Sequence, residues 1–307
     1  MGKVLAVCTS EKKGLQKHDV HSAHFETEWG IDGDAHAGKW HRQISLLSAD
    51  KIEAFNQKGA NVIPGAFGEN LVVEGFDFRA LPVGTLLRCS DVLLEMTQIG
   101  KECHSHCEIY KKMGDCIMPR EGVFARVLEP GTITVGDEMV IVPREGHFPW
   151  QAAVISLSAN SDSKCDNELG AAISNRLTKS GYAVLEDLVV PKDARVLKQQ
   201  IIRLCDQRQL DLILTTGGIG CSKDDITPEA TLAVADKNVP GISEAIRSAA
   251  VQVCDKAMIS RGASVIRGKT LIINLPDNLQ ACMDTMDVFM DTIPQAMAQL
   301  RGEELEK

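Results

Sequence analysis

Residues 211–231 read DLILTTGGIGCSKDDITPEAT, and the fold of the second half turns on them. Residues 211–215 (DLILT) centre on an apolar run and have the length of a buried strand. Gly217, Gly218 and Gly220 follow. Without a Cβ they let the backbone turn sharply and come close to a ligand. The chain then enters a helix, with Thr227 as its expected N-cap and Pro228 as its first residue. In open α/β sheets ligands bind beyond the carboxyl ends of the strands, and a helix N-terminus there favours an anion. Asp224 and Asp225 lie in the same loop. Two carboxylates beside a phosphate would repel it unless Mg²⁺ bridges them. Read from its residues alone, the loop is a site for a phosphorylated ligand and a divalent metal. The alternative is a tight turn whose acids are simply solvated.

Outward from this loop, strands alternate with helices. Residues 152–157 (AAVISL) and 269–275 (KTLIINL) read as buried parallel strands, and 182–190 as another. Helices are expected over 167–180, over 194–208, from Pro228, and over 277–301. That alternation predicts a three-layer α/β domain with a mainly parallel sheet.

The first half has a different rhythm. Short strands are expected over 4–9, 43–47, 85–89, 92–97 and 139–142, punctuated by Gly65, Gly68, Gly75, Gly84, Gly131 and Gly136. Residues 128–142 (LEPGTITVGDEMVIV) suggest a hairpin ending in a barrel strand. One helix is expected over 48–58, with Ser48 as N-cap. This half reads as a β-barrel. The expected division is 1–143 for the barrel, 144–151 for a linker, and 152–303 for the α/β domain.

The composition agrees with two globular domains. The 307 residues are 44% hydrophobic and 24% charged, with a net charge of −9. Residues 1–143 carry 15 basic and 20 acidic side chains, and the remainder 18 and 22. Neither half is basic, which argues against nucleic acid as a partner. No apolar run approaches the roughly 20 residues needed to span a bilayer, so no membrane association is expected. The start, MGKVLAVCTSEKK, turns charged too soon for a leader. Ten cysteines in such a chain suggest free thiols in a reducing compartment, hence the cytoplasm.

Two stretches of the first half concentrate reactive side chains. Residues 30–48 (GIDGDAHAGKWHRQISLLS) hold Asp32, Asp34, His36, His41 and Arg42, and residues 65–71 (GAFGENL) bring Glu69 and Asn70. Residues 101–122 hold Cys103, His104, His106, Cys107 and Cys116. Structural zinc needs a second ligand pair, and no second cysteine pair follows. Surface thiols and imidazoles are one reading. A thiolate for a soft metal or a sulfur-bearing ligand is another, because Lys101, His104 and His106 would lower a thiol pKa. Arg126 reads equally as an ion-pair partner or an anion ligand, and Trp29, Trp40 and Trp150 as packing residues.

Both halves resemble known families. TTGGIGCSKDDITPEAT looks like the TTGGTG–RDVTPEA signature of the MogA/MoaB family. VPGISEAIR, AMISR and GKTLIINLP resemble further segments of it. That family binds molybdopterin, and its MogA branch adenylylates it with Mg²⁺ and ATP. The resemblance implies Asp225 as the acidic, Mg²⁺-holding catalytic residue. It implies contacts to pterin phosphate or nucleotide from Thr216, Gly217, Gly218, Gly220, Ser222, Thr227, Glu229, Ser260, Arg261, Asn274 and Pro276. It also implies a homo-oligomer. The departures cluster around the ligand: Ile219 for a threonine, Asp224 for an arginine, Lys192 for an acid (with Asp193 next to it), Asp277–Asn278–Leu279 for a GSP-like loop, and Ala159 for an aspartate. In the first half GIDGDAHAG–HRQISLL, FGENL, KECH–C, EGVFARVL and VGDEM resemble the MOSC family, the β-barrel domain of molybdenum-cofactor sulfurases. Its single cysteine best matches Cys103, with Cys107 as the other choice, and the resemblance implies molybdenum or sulfur there. The combined expectation is a protein that handles molybdopterin or the molybdenum cofactor. It would act as an adenylyltransferase, or as a non-catalytic carrier passing cofactor to an apo-molybdoenzyme. A molybdate sensor ranks last, because no helix-turn-helix signature or basic patch is present.

Overall fold

The computed structural model describes residues 1–101, 108–144, 148–158 and 168–303. The chain divides into two compact units, Met1–Gly146 and His147–Lys307.

The first unit is a closed barrel of seven strands: β1 (Gly2–Thr9), β2 (Ile44–Ser48), β3 (Leu71–Glu74), β4 (Leu86–Cys89), β5 (Val92–Ile99), β6 (Val123–Glu129) and β7 (Glu138–Val142). Their order is β7-β4-β5-β6-β2-β3-β1, and β1 closes the ring on β7 through Gly2↔Met139 and Lys3↔Glu138. Only β2 and β3 run parallel. Closure removes the free edges that an open sheet would expose. Alternation explains the core: Val4, Ile44, Leu46, Leu71, Val73, Leu87, Leu94, Met96 and Met139 point inward. A register shift between Val4 and Ala6 breaks the alternation of β1. Val7 therefore joins the barrel interior, while Ala6 and Cys8 face a second cluster under helix α1 (Ala49–Asn56).

Two expectations for this unit are corrected. Residues 128–142 do not form a hairpin: Gly131–Thr134 pairs with Ser22–Glu26, whereas β7 pairs with β4 and β1. Ser48 precedes α1 but makes no side-chain cap, and its hydroxyl accepts from the Phe78 amide at 3.4 Å instead.

The second unit is a three-layer sandwich. Its strands are β8 (Gln151–Ser158), β9 (Ala183–Pro191), β10 (Leu212–Thr216), β11 (Lys237–Asn238), β12 (Ser264–Arg267) and β13 (Thr270–Leu275). They lie in the order β9-β8-β10-β13-β12-β11. The first four are parallel and the last two turn antiparallel. The alternation of side chains sorts two cores onto opposite faces. Ala152, Val154, Leu212, Leu214, Leu271 and Ile273 meet helices α2 (Glu168–Lys179), α6 (Leu279–Phe289) and α7 (Ile293–Arg301). Ala153, Ile155, Ile213 and Ile272 meet α3 (Ala194–Ile202) and α4 (Thr227–Leu232) on the other face. Helix α5 (Pro240–Val251) packs Ile242 and Ile246 against the first core.

The closing helix expected over 277–301 is two helices. Pro294 sits in the first turn of α7. Inside a continuous helix its ring would collide with the preceding turn and remove a hydrogen bond, so the chain restarts instead. The helix expected over 194–208 keeps α geometry to Ile202 and widens to a π-turn at Arg203–Gln207. No described helix is long and apolar enough to cross a membrane.

Candidate functional site

The carboxyl ends of β8, β10 and β13 lie side by side, and the glycine loop leaves β10 there. Gly217 (φ +93°) and Gly218 (φ +67°) lie in the left-handed region. A Cβ on Gly218 would meet Thr227 Oγ1 at 2.6 Å, so glycine is required twice over at this position.

The loop's carbonyls are taken one after another. Thr227 Oγ1 donates to the Gly217 carbonyl at 2.7 Å, and Thr227 N to the Gly218 carbonyl at 3.1 Å. Arg261 N donates to the Ile219 carbonyl at 2.9 Å, and Arg261 Nε to that of Gly220. A trans peptide unit points its N–H opposite to its C=O. Turning four successive carbonyls inward therefore turns the amides of Gly218, Ile219, Gly220 and Cys221 the other way. None of these amides meets an acceptor among the described residues. Successive free amides make a concave, partly positive nest for an anion.

This corrects one expectation. Thr227 is not an N-cap: Ile226 holds that place, no side-chain cap forms, and Thr227 spends its hydroxyl on Gly217. Helix α4 is only six residues long, so its dipole is short.

The other expected residues divide into those facing the loop and those spent inside the fold. Asp225 Oδ2 accepts from Ser222 N at 2.8 Å, and its other carboxylate oxygen has no hydrogen-bond partner among the described residues. Arg261 Nη1 pairs with Glu229, and Nη2 donates to the Asp225 carbonyl. Cys221, Ser222, Lys223, Asp225, Glu229 and Arg261 line a shallow depression of about 440 Å³. Thr216, Asn274 and Pro276 are spent internally. Thr216 Oγ1 donates to the Pro276 carbonyl. Asn274 is buried, donates to Thr215 Oγ1 at 2.9 Å and Thr231 Oγ1 at 3.0 Å, and accepts from Ala263 N at 3.1 Å. Its side chain is a staple across two strands and α4. Ser260 offers its carbonyl to Arg247 Nη1 at 3.0 Å. Asp277 stands against the loop, its Cβ 3.8 Å from where a Gly217 Cβ would lie.

Among the described residues no three or more His, Cys, Asp or Glu side chains gather as a metal cluster. Mg²⁺ binds through one or two carboxylates together with substrate phosphates and water. The free oxygen of Asp225 beside the amide nest fits such an ion.

In the barrel the expected residues are drawn into a buried network. Asp34 pairs with Lys17 at 2.9 Å, with both side chains 1% exposed. Asp34 also accepts from the amides of Ser10 at 3.0 Å and His36 at 3.2 Å. Burial alone would raise the Asp34 carboxyl, but Lys17 and these amides hold it below the usual range. Burial pushes the Lys17 ammonium down, against the pull of Asp34 and Glu69. Glu69 accepts from the amides of Gly65 and Phe67, and burial pushes its carboxyl up. Burial also drives the Cys8 thiol up to about 12, which makes it inert. Lys17 escaped the sequence reading because a lysine in KGLQKHD looks like a solvated surface residue.

Asn70 donates to the Cys8 carbonyl at 3.0 Å, and Arg126 pairs with Glu95 at 2.6 Å. Each takes the structural rather than the ligand-binding role. Trp150 is buried as expected for packing. Trp40 is 39% exposed, and Arg42 lies over its ring at 4.7 Å. Cys103, His104, His106, Cys107 and Ala159 lie outside the described residues.

Comparison with known proteins agrees with both halves. The sequence profile of the family described as "Probable molybdopterin binding domain" matches residues 131–296, more than half of the chain. A MOSC domain profile matches residues 33–140. The molybdopterin adenylyltransferase of Haemophilus influenzae is 40% identical over 107 residues, 35% of this chain and 54% of that protein. That of Escherichia coli K12 is 37% identical over 107 residues, 55% of its length. The chain thus spans about half the length of these curated relatives. Among solved structures, the molybdopterin biosynthesis Mog protein of Mycobacterium ulcerans is 34% identical and covers 51% of this chain and all of its own, with a TM-score of 0.47. The chain belongs to the probable molybdopterin binding domain family, with a MOSC domain before it in the sequence.

Proposed function

We propose that this protein works in molybdenum-cofactor biosynthesis, with the second unit holding molybdopterin by its phosphate and transferring adenylate to it from ATP. The observation that carries the reading is the run of four amides, Gly218–Cys221, that meet no acceptor among the described residues. A phosphate seated there would satisfy donors that the fold leaves open, at little reorganisation cost. The free oxygen of Asp225 would hold Mg²⁺, which neutralises phosphate charge when bound. The pterin phosphate oxygen would attack the α-phosphorus of ATP, and pyrophosphate would leave. In this scheme the chain's own groups bind and orient: the nest fixes the attacking phosphate, and Asp225 keeps a carboxylate in reach of the metal. Cytoplasmic location and a homo-oligomer belong to the same proposal. So does a MOSC barrel that receives the finished cofactor, with Cys103 as thiolate ligand or sulfur carrier.

A second reading is a carrier that holds the cofactor for an apo-molybdoenzyme without chemistry. Two observations favour it: Thr216 and Asn274 have no side-chain group left for substrate, and Ile219 offers no hydroxyl.

The deciding experiment is a molybdopterin titration of the purified protein with and without Mg²⁺-ATP, following pterin fluorescence and adenylylated product. Product that disappears in Asp225→Ala supports the transferase. Tight binding without product selects the carrier, and metal analysis of Cys103→Ala then tests the barrel. Absence of binding overturns both readings.

A further inference from the structure

We propose that Arg261 is a positioning residue of the glycine loop, aiming two of its four open amides, and that Arg247 holds Arg261 in place; this rests on the phosphate reading above. Arg261 reaches the loop three times. Its backbone N–H ties the Ile219 carbonyl, its Nε the Gly220 carbonyl, and its Nη2 the Asp225 carbonyl. One side chain thus closes the segment Gly220–Asp225 into a ring. Only a planar guanidinium presents several donors in a fixed fork; an ammonium is a point charge that cannot span two carbonyls in the same way.

Peptide planarity converts these bonds into directions. Fixing the Ile219 carbonyl aims the Gly220 amide, and fixing the Gly220 carbonyl aims the Cys221 amide. The other half of the nest has a separate holder, because Thr227 fixes the Gly217 and Gly218 carbonyls and thereby aims the amides of Gly218 and Ile219. The nest is assembled from two sides by residues outside it.

Arg261 acts here by position rather than by charge. Its guanidinium already faces the Glu229 carboxylate, so the pair offers little net field to an anion. The segment that carries Arg261 is gripped in turn. Arg247 Nη1, on α5, donates to the Ser260 carbonyl at 3.0 Å and the Gly262 carbonyl at 3.4 Å, the residues on either side of Arg261.

The test uses the full chain, pyrophosphate as probe, and ¹⁵N relaxation of the loop amides without ligand. Arg261→Lys keeps the charge and loses the fork. It should loosen the amide of Cys221, from an order parameter of about 0.85 to below about 0.6, and leave Gly218 and Ile219 rigid, with Gly220 still held by the backbone N–H of residue 261. Pyrophosphate should bind about tenfold more weakly, with an unchanged dependence on salt. Thr227→Val should give the mirror pattern, loosening Gly218 and leaving Gly220 and Cys221 rigid. Arg247→Lys, which leaves Arg261 intact, should repeat the Arg261→Lys pattern more weakly. Four amides that respond together, or not at all, overturn the proposal. So does unchanged affinity, or a shallower salt dependence, which would make Arg261 a direct ligand. If the parent protein binds no pyrophosphate, the phosphate reading fails; the positioning role then stands or falls on the selectivity of the order parameters.

Discussion

The Lys17–Asp34–Glu69 cluster of the barrel and the glycine loop of the α/β unit treat their polar groups in opposite ways. In the barrel, Lys17, Asp34 and Glu69 are buried and matched to partners within the fold. At the glycine loop of the second unit, a run of four amides, from buried Gly218 to exposed Cys221, meets no acceptor among the described residues. A buried charge without a mate costs several kcal/mol, so the barrel must settle its charges internally. A surface donor has water as a fallback, so a loop can keep donors in reserve. Closed polar networks therefore report on stability, and open ones on ligands.

This contrast can be broken or sharpened by substitution. The largest effect on stability belongs to Asp34→Ala. It strands the Lys17 ammonium in the barrel and should cost about 3–5 kcal/mol in urea unfolding of that unit. The double variant Asp34→Leu with Lys17→Met should recover most of the loss; failure to recover would mean that the pair is more than structural. The same pair predicts an acid step. Asp34 is held below its ordinary value. Its contribution is therefore complete above the ordinary carboxylate pKa of about 3.9, and it is lost as pH falls through the lower folded value. Far-ultraviolet circular dichroism against pH should show that step in the parent and not in the double variant.

Asn274→Ala comes next. It leaves the hydroxyls of Thr215 and Thr231 and the Ala263 amide without their shared partner. A loss of about 1–3 kcal/mol is expected in thermal unfolding of the second unit. Gly218→Ala should act on ligand more than on fold. Its strained φ and its clash with Thr227 Oγ1 should distort the nest by about 1–3 kcal/mol, read as tenfold to a hundredfold weaker pyrophosphate binding. The smallest effect is that of Asn278→Ala, which removes the cap to Ala281 N and should cost about 1 kcal/mol. If Asn278→Ala weakened pyrophosphate binding as much as Gly218→Ala does, the division between reserve donors and structural ones would be wrong.

Much of this was legible in the sequence, and the limits have physical causes. The apolar runs at β8, β10 and β13 are buried on both faces, so composition alone marks them. The glycines of the loop were legible because few other residues adopt positive φ. The direction of the loop's amides was not. It depends on Arg261, which lies on a different segment, and on a hydroxyl of Thr227 that chooses a carbonyl over the helix end. Lys17 was invisible because its burial comes from tertiary contacts with Asp34 and Glu69. The false hairpin at residues 128–142 had the right turn residues, but its strand Gly131–Thr134 found a better partner in Ser22–Glu26. The break in the last helix was written at Pro294, and the apolar periodicity on either side of it hid the signal.

The division of labour around the glycine loop bears on how such a motif spreads between proteins. A segment copied from Thr216 to Ile226 would carry its turns with it, but not Thr227 or Arg261. In a new host its carbonyls would be free to swing back and compete with the ligand for its own amides. The motif behaves as one component of an assembly rather than as a portable cassette. A protein engineer who wished to borrow it would have to bring along an arginine from the segment that leads into β12 and a threonine at the foot of the following helix.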